Sequence, residues 1–64
     1  MKTNEFFKLL RKNGIELKFM RHGGEHDIYY YEKKNEVLSV PRHQSEEIKT
    51  GLLNKLMKQV GLKK

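Results

Sequence analysis

The chain has 64 residues, no cysteine, and 14 Lys plus Arg against 8 Asp plus Glu, giving a formal net charge of +6 and a pI near 9.7. A domain of this size hides only about 60% of its unfolded surface, so a large core is excluded, and without cysteine so are disulfides and thiolate metal sites. No apolar run approaches the roughly 20 residues of a membrane helix, and the opening Met1-Lys2-Thr3-Asn4-Glu5 lacks a signal-peptide core, so a cytoplasmic protein with no membrane partner is expected.

Thr3 is placed to cap a first helix over about residues 4–13, where Phe6, Leu9 and Leu10 fall on one face at i, i+3 and i+4. Arg11 and Lys12 suit the negative end of its dipole, and Gly14 supplies a left-handed residue after Asn13. Ile15, Leu17 and Phe19 then alternate with Glu16 and Lys18, the period of a half-buried strand. Gly23-Gly24 is expected to reverse the chain into a second strand, His26 to Tyr31, rich in β-forming residues. Its alternation sorts His26, Ile28 and Tyr30 from Asp27, Tyr29 and Tyr31 without choosing which set is buried.

Lys33-Lys34-Asn35 reads as a polar turn and Val37 to Val40 as a third strand, ended by Pro41, which cannot donate to a ladder. Pro41 to Lys49 reads as a loop or single turn anchored by Ile48. A last helix runs from about Gly51 to Val60, with an apolar stripe of Leu52, Leu53, Leu56, Met57 and Val60. Gly61 and Leu62 suit a Schellman ending. Nothing repeats and no linker divides the chain, so 1–64 reads as one α+β domain of order α-β-β-β-α. Its three-stranded antiparallel sheet needs both helices on one face to bury an apolar side, which leaves the other face open. Double-stranded RNA-binding domains share this order and layering.

The positive field favours an anionic partner, nucleic acid foremost, although lysine-rich surfaces also serve solubility. His22 and His26 bracket the glycine turn in "RHGGEHDIYY". Across a hairpin they could face each other with Glu25 or Asp27 as a third ligand, but no complete metal set is present. No hydroxyl sits in a nucleophile elbow, and the two glycines lack the frame of a phosphate loop. Histidine acid–base chemistry remains, and it needs no cofactor. RNA carries its own nucleophile in the 2′-hydroxyl, so an imidazole base and nearby cations would suffice to cleave it. Lys18, Arg21, Lys33, Lys34 and Arg42 are the candidate RNA-binding cations, being on or beside the strands. Each of them also reads as solvated surface, and His26 as an ordinary surface histidine.

The stretches "LLRKNG", "GGEHDIYY", "VPRH" and "EIKTGLLNKLMKQVGL", in this order over nearly the whole chain, resemble the HicA family of ribonuclease toxins from HicA–HicB toxin–antitoxin systems. The resemblance implies a double-stranded-RNA-binding-domain-like fold and a type II toxin that cuts mRNA without a metal or cofactor. It implies control by a HicB-type antitoxin, and it makes His26 the catalytic histidine that follows the glycine turn. Tyr29 then looks structural, His43 matches a secondary family histidine, and His22 matches no family role. Many members carry Ser or Asn where this chain has Glu25, a carboxylate that could repel phosphate or favour the imidazolium of His26. The competing readings are a non-catalytic RNA-binding module and a small basic subunit whose open sheet face docks on an acidic protein.

Overall fold

A computed structural model describes residues 1–62. The chain runs α1 (Thr3–Lys12), β1 (Lys18–Gly23), β2 (His26–Tyr31), a short 3-10 turn (Glu32–Lys34), β3 (Glu36–Pro41) and α2 (Thr50–Val60). The strands form one antiparallel sheet in the order β1-β2-β3. This is the expected α-β-β-β-α arrangement.

Phe6 and Leu10 of α1, Leu56 and Val60 of α2, Ile15, Tyr31, Leu38, Val40 and Ile48 make one buried cluster. Leu38 and Val40 share the helix-facing side of β3, and their cross-strand partners on β2 are Tyr29 and Asp27. Tyr31 is buried on that side too, so Asp27, Tyr29 and Tyr31 face the helices while His26, Ile28 and Tyr30 face the open side. The choice that alternation left open is thus made by the neighbouring strand. Only one setting places the tyrosines beside Leu38 under the helices. Among the described residues, no helix is long and apolar enough to cross a membrane.

The start of α1 differs from the sequence expectation. Thr3 does not cap the helix but lies inside it, 2% exposed, with its hydroxyl donating to the Glu46 carbonyl at 3.1 Å. Lys2 flanks the helix instead, and the Glu5 carboxylate accepts the Lys2 N–H at 2.7 Å. The cause is long-range. The 44–48 segment lies against the N-terminus through Thr3 N–H to Glu46, Asn4 N–H to Gln44 and Ile48 N–H to the Met1 carbonyl, each at 2.9 Å. The N-terminal ammonium pairs with Glu47 in the same place. A hydroxyl that could serve its own helix end is drawn to a distant carbonyl because the loop carries that carbonyl against the start of α1. Ile48, 2% exposed, anchors this loop as its apolar character suggested.

The first strand also begins later than its alternation implied. Gly14 (φ +70°) ends α1, and Ile15 N–H closes a bond to the Leu10 carbonyl at 2.8 Å, so Ile15 is the apolar residue of a Schellman ending rather than a strand residue. Leu17 packs on the core, but Phe19 is 52% exposed. A bulge between Phe19 and Arg21 leaves Met20 without a partner on β2, which breaks the alternation the sequence promised.

The two glycines of the hairpin have different tasks. Gly23 pairs with His26, and a Cβ there would meet Ile28 Cγ1 at 3.2 Å. The loop itself is Gly24-Glu25, with Gly24 at φ +68°, the two-residue loop with glycine first that suits the twist of a hairpin. At the other end of β2, Asn35 adopts φ 52° after the 3-10 turn and accepts the Tyr30 hydroxyl at 2.7 Å. Helix α2 ends at Gly61 (φ +80°), with Leu62 N–H bonded to Met57 at 2.8 Å as expected. Gln59 fastens α2 to β3 by donating to the Val37 carbonyl at 2.9 Å and the Glu36 carboxylate at 3.2 Å.

Candidate active site

His26 is the first residue of β2, where the hairpin loop hands the chain to the sheet. Gly23 lies opposite on one side and Pro41 on the other, and the imidazole is half-buried on the open face. Glycine on one flank leaves the ring uncrowded there. Among the described residues, its side chain makes no hydrogen bond or ion pair.

Two cations reach the same end of the sheet. Arg21 sits opposite Ile28 on the open face, and its Nη1 lies 3.6 Å from where a Cβ on Gly23 would be, so the guanidinium folds toward the hairpin end. Arg42, just after β3, clasps the loop. Its backbone N–H donates to the Glu25 carbonyl and its Nη1 to the Gly24 carbonyl, both at 3.3 Å. Glu25 itself is exposed on the turn.

The other three candidate cations lie elsewhere. Lys18 is opposite Tyr30, four strand steps or about 13 Å from His26. Its ammonium is 3.5 Å from Glu32, an exposed pair. Lys33 and Lys34 lie beyond Tyr31 in the 3-10 turn. The end of Lys34 rests on the C-terminus of α2, so close that a Cβ on Gly61 would be 2.9 Å from its Nζ, where the helix dipole favours a cation. The structure therefore places Arg21 and Arg42 at the His26 end of the sheet and Lys18, Lys33 and Lys34 away from it.

On the helix side of the same hairpin lies a cluster that sequence reasoning missed. His22 and Asp27 are cross-strand partners, and His22 Nδ1 is 2.7 Å from Asp27 Oδ1. Arg42 Nε is 3.8 Å from that same oxygen. The His22 ring packs edge-on against Phe19 at 5.1 Å, Phe19 against Tyr29 at 5.7 Å, and Tyr29 against Phe7 at 5.2 Å. Burial, and then the negative charge of Asp27, push the Tyr29 phenol above its ordinary pKa, so it stays a protonated donor at neutral pH. The signal for the pairing was present. Once the loop is placed at 24–25 rather than 23–24, positions 22 and 27 must stand opposite each other.

His22 and His26 consequently project from opposite faces and do not converge on one ligand. Among the described residues, no three His, Cys, Asp or Glu side chains assemble as a metal site would require. His43 is exposed in the turn after Arg42, whose far end closes with the Glu46 N–H donating to the His43 carbonyl at 3.0 Å.

Comparison with known proteins fits this arrangement. A family model described as the HicA toxin of bacterial toxin-antitoxin matches residues 3–62. A curated relative, the probable mRNA interferase HicA 1 of Photorhabdus laumondii subsp. laumondii, is 37% identical over 62 residues, covering 97% of this chain and all of the relative. No solved structure matches at a comparable level of significance. With the family model spanning both helices and the whole sheet, the chain belongs to the HicA toxin family.

Proposed function

We propose that the chain is the toxin of a type II toxin–antitoxin pair and cleaves mRNA in the cytoplasm, without a metal or cofactor, by histidine acid–base catalysis. The observation that carries this reading is the imidazole of His26 on the open sheet face, without a side-chain partner among the described residues, with Arg21 on the same face and Arg42 at the same end of the sheet. The mRNA interferase name of the similar Photorhabdus protein supports the same substrate class.

In this mechanism a neutral His26 takes the proton from a ribose 2′-hydroxyl. The 2′-oxygen attacks the adjacent phosphorus, the bond from phosphorus to the 5′-oxygen breaks, and the leaving oxygen is protonated by water or by the imidazolium. Arg21 and Arg42 offset the charge that builds on the phosphate oxygens. Lys18, Lys33 and Lys34 lie too far away for that role and serve, in this reading, the flanking strand through long-range attraction. A HicB-type antitoxin restrains the toxin by covering the His26 end of the sheet, with a positive surface of formal charge +6 speeding its capture.

The test is cleavage of labelled RNA in the presence of EDTA by the wild type and by His26→Ala. The wild type should cut, leaving a 2′,3′-cyclic phosphate and a 5′-hydroxyl, and a 2′-deoxy substitution at the cleaved position should block it. His26→Ala should lose on the order of 10² to 10⁴ in rate. Wild-type protein that binds RNA but leaves it intact would establish a binding module instead. Undiminished cleavage by folded His26→Ala would remove His26 from the mechanism.

A further inference from the structure

A cleft of about 310 Å³ opens on the helix side of the hairpin, within one residue of His26, and of its lining only Arg42 takes part in the proposed chemistry. Its lining includes Phe7 and Arg11 of α1, Asp27 and Tyr29 of β2, and Pro41 and Arg42 at the end of β3. Its volume lies at the low end of small-ligand sites, about 300–1,000 Å³. Phe7 and Tyr29 meet at 5.2 Å and 57° and supply an aromatic wall. Arg11 and Arg42 supply cations at the same opening. An aromatic wall beside cations is what a single-stranded nucleotide needs, one part for the base and the other for its phosphates.

Asp27 places a carboxylate in the cleft. Its side chain is only 16% exposed, and its Oδ1 already faces His22 Nδ1 at 2.7 Å and Arg42 Nε at 3.8 Å. Its Oδ2 has no protein partner among the described residues. That oxygen is free to accept a hydrogen bond from a bound ligand. An N–H on a base is one such donor. An inorganic anion would meet the carboxylate as a like charge, so the cleft suits a neutral ring with a hydrogen-bond donor, attached to a charged backbone.

We propose that this cleft binds one base of the RNA strand next to the cleaved bond, and that Asp27 selects a base carrying an amino group on its pairing edge. Adenine, cytosine and guanine each present such an amine to a carboxylate. Uracil presents one N–H flanked by two carbonyl oxygens, which would stand against the carboxylate as like partial charges. Arg42 links the two sides of the hairpin, with Nη1 on the Gly24 carbonyl and Nε toward Asp27, so a strand crossing this end would meet His26 on one face and the cleft on the other. His22 is a positioning residue here, holding the carboxylate from the neighbouring strand. The inference rests on the ribonuclease reading for the identity of the strand.

The experiment measures binding rather than cleavage, so the two readings fail separately. His26→Ala protein is titrated with short fluorescein-labelled RNAs that differ in a single base, and affinity is read by anisotropy at fixed low salt. At one position, A, C or G should bind about tenfold more tightly than U. His26→Ala/Asp27→Asn should reduce that ratio to within about twofold, because an amide both donates and accepts. His26→Ala/Phe7→Leu should weaken all four bases alike and keep the ratio. Amide NMR spectra of the His26→Ala protein give a second reading that needs no cleft variant. Cytidine monophosphate should shift the Phe7, Asp27 and Tyr29 signals more than uridine monophosphate does. Equal affinity for all four bases, a preference that survives Asp27→Asn, or shifts confined to the open face would each overturn the assignment. Intact RNA with the wild type would instead count against the ribonuclease reading alone.

Discussion

His22 Nδ1 lies 2.7 Å from Asp27 Oδ1 across the β1–β2 ladder, joining an imidazole that is 63% exposed to a carboxylate that is 16% exposed. An exposed partner limits what such a pair adds to stability, so His22→Ala should cost no more than about 1 kcal/mol in urea unfolding. Asp27→Ala removes the more covered member and also deprives Arg42 of its nearby carboxylate. It should cost more than His22→Ala, and a reversed order would mean that the pair does not hold the hairpin end.

RNA affinity should depend on salt in a way that sorts the cations by position. Log affinity should fall linearly with log salt, by roughly 0.7 per phosphate contacted on a single strand. Arg21→Ala and Arg42→Ala should each reduce that slope by about one contact. Lys34→Ala should change it least, because its ammonium rests on the end of α2. Titrations of His26→Ala protein at several salt concentrations measure all three, and a slope unaltered by either arginine would leave the charge a solubility device.

The glycines at the two ends of α2, Gly51 in its first turn and Gly61 just past its last residue, should respond to alanine in opposite directions. Gly51 is exposed in the helix with nothing within 4 Å of a Cβ, so Gly51→Ala should stabilise by about 0.5–1 kcal/mol. Gly61 sits at φ +80° against Lys34, so Gly61→Ala should destabilise by about 1–2 kcal/mol, although the lysine end can move aside. Thermal melts of the two variants decide the matter.

Alkaline stability should report on Tyr29. Burial, followed by the charge of Asp27, raises the folded-state pKa of the phenol above the ordinary value of 10.0. The unfolded chain therefore loses this proton first, so the stability it contributes is complete below pH 10 and drains away as pH rises through the folded-state pKa. Tyr29→Phe has no such proton to lose and should show a shallower fall above pH 10, read by circular dichroism during alkaline denaturation. Parallel curves for the two proteins would show the hydroxyl to be no more strained in the fold than in water.

Activity should separate the histidines more sharply than stability does. His43→Ala alters an exposed side chain in the turn after Arg42 and should keep most cleavage, with its circular dichroism unchanged. His26→Ala should keep the same spectrum, because a half-buried ring at the head of β2 buries little apolar area. Loss of cleavage in both variants would point to a shared role for the loop instead of a single base.

Local physics determined much of this protein from sequence. The apolar spacing of Phe6 and Leu10, the β-forming run from His26 to Tyr31, and the left-handed glycines at 14 and 61 announce the helices, the middle strand and both helix ends. These features depend on contacts within a few residues, and the order they spell is the one observed. The family motif named His26 as the candidate base. Tertiary structure alone decided the rest. Thr3 left its capping role for a carbonyl 43 residues away, and Ile15 ended a helix instead of starting a strand. Tyr29 and Tyr31 were turned inward by Leu38 and Val40 on the adjacent strand, which left His26 on the open face. Asp27, His22 and Arg42 came together because a loop at Gly24-Glu25 sets the register and the chain after Pro41 returns to the same end. Such juxtapositions arise between segments distant in sequence, where one-residue changes of loop or bulge exchange the two faces of a strand, and alternation along a single strand carries no record of them.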